Sequence, residues 1–219
     1  MQEKEEVINM DYPAEWNQLP KHERKEKIKE LRLIREKKAD TLKKIRRWGL
    51  AGIIIVLIIV GFAQLTRKTP EQVAFEQEVK AISLEGKVEE FPIEGRDHVS
   101  ASTSVEYKTN PPTSGSHLGE AKNWGVYSKE IDDKAGVHNL EHGGIWISYK
   151  NIPEDEINVL EELGKQNSQS TVVSPRSGND NKIVVASWGK MMKLETVNKA
   201  LIQKYINTYK NQSPEKLAR

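Results

Sequence analysis

Neutral imidazole is the commonest transition-metal ligand among side chains, and four of this chain's five histidines lie beyond residue 90. His138 and His142 stand four apart in Val137-His138-Asn139-Leu140-Glu141-His142-Gly143-Gly144. On one helical turn, residues at that spacing point the same way. His117 ends the loop Asn110-Pro111-Pro112-Thr113-Ser114-Gly115-Ser116, where Pro fixes φ and Gly permits a turn. His117, His138 and His142 are thus the leading trio of metal ligands, with His98 a candidate fourth. Imidazole donors suit zinc or copper. Met191-Met192 would add a thioether for copper(I), although adjacent methionines more often pack in a core.

The same string offers a second chemistry. His138-Asn139-Leu140-Glu141-His142 fits H-x-x-E-H, in which two histidines hold zinc and the glutamate is the general base of a hydrolase. Against this, Gly143-Gly144 ends any helix at once, and nothing singles out Glu195 or Glu215 as the distal acidic ligand. A third reading makes the histidines structural, satisfied by hydrogen bonds within a loop-rich domain of the cell envelope. Ser114 and Ser116 lie near His117 without the surroundings of a nucleophile elbow. There is no phosphate-binding glycine loop and no dinucleotide fingerprint. With no cysteine, a disulfide, a thiolate zinc site and a thiol nucleophile are excluded.

These residues must be positioned by a domain that an apolar run separates from the N-terminus. Residues 48–65 (WGLAGIIIVLIIVGFAQL) carry no charge over 18 residues, close to the length of a membrane span. Residues 21–47 hold thirteen Lys or Arg against five acids, a net charge of +8. Residues 1–20 are acidic and read as a disordered tail. The positive excess before the span places the N-terminus in the cytoplasm and the histidine domain outside. A cleaved signal peptide competes through Gly61-Phe62-Ala63, but its n-region would be 47 residues long. Residues 66–219 are slightly acidic, so the basic balance marks the membrane-proximal helix and no nucleic-acid partner is expected.

The spacing predicts a linker or stalk over 66–88 and an extracytoplasmic domain over 89–212. Within it, residues 144–149, 170–174 and 182–188 read as strands, and residues 153–165 and 195–210 as amphipathic helices. That order indicates an α+β fold: a small sheet of three to five strands with helices packed on it, rich in loops and preceded by one transmembrane helix. Trp124, Tyr127, Trp146, Tyr149 and Trp188 are expected to supply core bulk.

Tyr107, Pro111-Pro112-Thr113-Ser114-Gly115, His117, Trp124-Gly125, Tyr127, His138, Leu140-Glu141-His142-Gly143 and Trp188-Gly189 together resemble an uncharacterised family, the domain of unknown function numbered 3105, over about residues 90–190. The resemblance implies a membrane-anchored extracytoplasmic domain with signature histidines and carries no activity with it. The expected function is a metal-binding or delivery module. The alternatives are an envelope module that binds a protein partner and a metal-dependent hydrolase.

Overall fold

The computed structural model describes residues 12–65 and 67–219. The expected tail therefore lies largely outside the described residues, though Ala14–Gln18 forms a short 3-10 helix. The chain divides after Lys68 into two compact units.

In the first unit, helix α1 runs unbroken over Lys21–Leu65. Pro20 precedes it, and its Lys, Glu, Arg and Leu residues are strong helix formers. Its basic half and its apolar half are one element. Ile53 through Val60 are each at least half exposed. A helix apolar on all sides needs an apolar surround. Among the described residues this is the one helix long and apolar enough to cross a membrane.

The second unit begins with α2 (Pro70–Ala81), started by a capping box. Gln72 N–H donates to Thr69 Oγ1, and Thr69 N–H donates to Gln72 Oε1. Helix α2 packs against the last helix, α5 (Lys199–Tyr209). The strands are β1 (Glu89–Glu90), β2 (His98–Val99), β3 (His117–Leu118), β4 (Gly125–Val126), β5 (Ile145–Tyr149), β6 (Thr171–Pro175), β7 (Ile183–Ser187) and β8 (Lys190–Leu194). Helix α3 (Asp133–Glu141) precedes β5, and α4 (Glu154–Gln166) crosses from β5 to the parallel β6.

The α+β class holds, but the sheet is larger than the sequence suggested. Six strands run in the order β1-β8-β7-β5-β6-β4, and β2 pairs with β3 in a separate parallel ribbon. The additions have physical reasons. Strands β1 and β4 are two residues long, too short to show a period of two. Strand β8 contains Met191-Met192, whose residues face opposite sides of the sheet, so the pair resembles neither an alternating strand nor a helix face.

The sheet buries both faces. Ile145, Ile147, Val173, Ile183, Val185 and Met192 meet Leu160 and Leu163 of α4 and Leu201, Ile202, Tyr205 and Ile206 of α5. On the other face, Trp146, Val172, Val184, Ala186 and Met191 meet Val137 and Leu140 of α3. Helix α3 sits close because Gly136 faces the Trp146 ring, where a Cβ would come within 2.6 Å of a ring carbon. The candidate ligands ride on this second face.

Candidate metal centre

Three segments carry the site. Ribbon β2/β3 pairs His98 directly with His117. Side chains at paired positions share a face of a ribbon, and here the two imidazole centroids are 5.0 Å apart. Helix α3 brings His138 and Glu141 one turn apart and ends at Glu141, with His142 as its C-cap. Asp132 caps the other end through its carboxylate, which accepts from Lys134 N–H at 2.8 Å. The expected stop after the histidine pair is there: Gly143 has φ +88, a left-handed conformation that a side chain would disfavour.

His98, His117, His138 and Glu141 each offer a ligand atom, and these atoms lie within 4.8 Å of one another. His117 Nε2 is 3.0 Å from Glu141 Oε2, and His98 Nε2 is 3.8 Å from the same oxygen. His117, His138 and Glu141 are buried, while the His98 side chain is 56% exposed. Three of the four histidines singled out in the sequence are thus brought together, and Glu141 joins them. His142 stands just outside the set: its Nε2 is 2.9 Å from His138 Nε2 and 3.1 Å from Glu215 Oε2.

Hydrogen bonds behind the rings fix which nitrogens point inward. A backbone carbonyl only accepts, so His117 Nδ1–H donates to Gly115 O at 2.8 Å and His138 Nδ1–H donates to Leu118 O at 2.5 Å. In the neutral rings, both Nε2 atoms then hold lone pairs. His117 directs its lone pair at a carboxylate oxygen, so a proton or a cation must lie between them. Burial first, and then the neighbouring His142, His117 and His98, hold the His138 pKa below its ordinary value, against the Leu118 carbonyl, which raises it. His138 therefore stays neutral further into acid, with its Nε2 lone pair turned toward His142 Nε2.

The loop carrying His117 is held from several sides. Residues 111–115 are buried, and Asn110–Pro111 is a cis peptide. Tyr107 Oη donates to Ser116 O at 2.7 Å. Burial, and then the acids Asp133, Asp132 and Glu94, raise the Tyr107 pKa, so its hydroxyl remains a donor. Arg176 joins this loop to α3. Its Nε and Nη2 donate to the two Asp133 oxygens at 2.8 and 2.7 Å, and its Nη1 donates to Asn110 Oδ1. Elsewhere on α3, Asn139 exchanges two hydrogen bonds with the backbone of Lys122.

Residues 211–219 form a strap across the C-terminal end of α3. Asn211 N–H donates to Gly143 O, Glu215 N–H to Glu141 O, and the amides of Leu217 and Ala218 to His142 O. Carbonyls that a helix end leaves unpaired are thereby satisfied. Nothing in the sequence marks Arg176, and Glu215 is one acid among many there. The one hint for Glu141 was its place inside the histidine string. Met191 and Met192 lie in the core, each 1% exposed.

The family of proteins of unknown function designated DUF3105 matches residues 98–219. The chain belongs to this family. The match begins at His98 and spans every residue of the site. It runs past the region of sequence resemblance to include α5 and the strap. No curated protein and no solved structure matches the chain.

Proposed function

We propose that this DUF3105 domain binds a single zinc ion through His98, His117, His138 and Glu141, as a membrane-anchored module facing the outside of the cell. The observation that carries this reading is the convergence of three imidazoles and one carboxylate, with backbone carbonyls behind two of the rings. Outer hydrogen bonds of that kind orient histidine ligands and make them more basic. Zinc bonds of about 2.0–2.1 Å put tetrahedral donors about 3.3 Å apart. The 3.0 Å between His117 and Glu141 already fits, and the wider pairs, all within 4.8 Å, would have to close onto the ion. Three nitrogens and an oxygen favour zinc(II), with copper(II) its competitor. Copper(I) prefers the thioethers that the core holds away in Met191 and Met192.

A binding or delivery role fits better than hydrolysis. In the hydrolase reading His142 would be a ligand and Glu141 a base held off the metal, whereas Glu141 Oε2 sits among the candidate ligand atoms. The anchor and its orientation rest on α1, with its apolar run and the net charge of +8 before it.

The test is elemental analysis and calorimetric titration of the full chain in detergent micelles, with zinc and with copper(II). One equivalent of zinc, lost in His138→Ala, is the expected result. A folded protein that takes up neither metal would leave the histidines as structural side chains, the second reading. That reading draws on the hydrogen bonds both His117 ring nitrogens already make within the protein.

A further inference from the structure

His142 and Glu215 are not needed for the set of four, yet they are placed against it. Glu215 Oε2 lies 3.1 Å from His142 Nε2, which lies 2.9 Å from His138 Nε2. Each step is shorter than the roughly 3.3 Å between two donors on one zinc ion, so one ion can be gripped by either neighbouring pair. Exposure rises along the row: His138 is buried, the His142 side chain is 23% exposed and the Glu215 side chain 47%. Both outer groups are held by backbone. His142 caps α3, and its carbonyl accepts from Leu217 and Ala218; Glu215 is fixed by its own amide on Glu141 O. His98 offers a second exposed imidazole, but it belongs to the final set, with its Nε2 3.8 Å from Glu141 Oε2.

We infer that His142 and Glu215 are exchange ligands, through which a zinc ion passes on its way to and from the four-residue site. This rests on the zinc reading above. A hydrated ion exchanges water for Glu215 Oε2 and His142 Nε2, whose proton goes to solvent. His138 Nε2 then displaces a further water. As bonds to Glu141 Oε2 and His117 Nε2 form, the proton held between those two atoms leaves to solvent; His98 displaces a last water, the bonds to His142 and Glu215 break, and His142 recovers a proton from solvent. The ion stays zinc(II) throughout and no electrons move.

The experiment is stopped-flow loading and release of zinc in the full chain in detergent micelles, with a chromophoric zinc indicator as donor or acceptor. In His142→Ala, both rates should fall by at least about tenfold, while the dissociation constant stays within about threefold, because both directions use the same step. Glu215→Gln keeps the backbone bonds of the strap and should slow both rates less. His142→Gln, which keeps a donor toward His138 and Glu215, replaces the alanine variant if that one misfolds. Unchanged or faster exchange overturns the proposal. A loss of affinity of about tenfold or more in His142→Ala also overturns it, making His142 an equilibrium ligand. A wild-type chain that takes up no zinc fails at the first step, so the loss of the parent reading is distinguished from the loss of this one.

Discussion

Against one face of the sheet, α4 and α5 lay Leu160, Leu163, Leu201, Ile202 and Ile206, side chains that need only be apolar and the right size. Against the other, α3 lays Val137 and Leu140 but also buries His138, Asn139 and Glu141. The first face is mostly apolar, with the buried Tyr205 hydroxyl matched by Ser187. On the second, each buried polar group has to be matched, because an unpaired one costs about 1–3 kcal/mol. Asn139 is matched by Lys122, His117 by Gly115 and Glu141, and the carbonyls at the end of α3 by the strap. The difference teaches that one layer supplies cohesion while its counterpart holds donor atoms at fixed separations.

The comparison breaks most visibly at His117. His117→Ala should weaken zinc binding by more than about 100-fold, beyond the cost of losing an outer hydrogen-bond partner. Titration calorimetry reads this, and binding that survived would show that the polar face is not a metal site. Leu163→Ala on the opposite face should do the reverse. It should lower unfolding free energy by about 2–5 kcal/mol, seen as an earlier urea midpoint, while one equivalent of zinc still binds. If zinc affinity fell in step with stability, the two faces would not be separable.

Arg176→Lys sharpens the comparison on the polar face. Lysine keeps the charge but cannot hold both Asp133 oxygens and Asn110 at once. A loss of about 1–3 kcal/mol is expected, with zinc affinity down by up to about tenfold as the His117 loop loosens. An unchanged melting temperature and affinity would remove Arg176 from the account.

The smallest effect is one of pH on the metal-free protein. The His138 pKa is lowered by burial, so below the ordinary histidine value the unfolded chain binds a proton that the folded chain resists. The stability tied to His138 is then complete above about pH 6.5 and is lost as the pH falls through its depressed folded value. Urea midpoints should hold from pH 7.5 to about pH 6.5 and decline below it, and His138→Gln should flatten that decline. A wild-type profile already flat there would place His138 in a more solvated setting.

The two faces were also unequally legible in the sequence. Strands β5, β6 and β7 and helices α4 and α5 show themselves through apolar periodicity, which is the same property that packs them. The histidines are conspicuous by type, and the turn at Gly143 by its glycine. What stays hidden depends on distance in space. His98 meets His117 only through a two-residue ribbon. Arg176 reaches Asp133 across forty-three positions. Glu215 reaches His142 because residues 211–219 return across the C-terminal end of α3. None of these contacts has a period, so no window of sequence displays them.

The strap also makes the end of the chain an observation post. Its amides rest on the carbonyls of Glu141 and His142, so any shift of those residues is passed to residues 215–218 through backbone alone. Lys216 is exposed within that stretch, and the sequence contains no cysteine. A single Lys216→Cys would therefore accept one fluorophore and no other. The dye would sit far along the chain from His138 and turn ion arrival at a buried site into an optical signal.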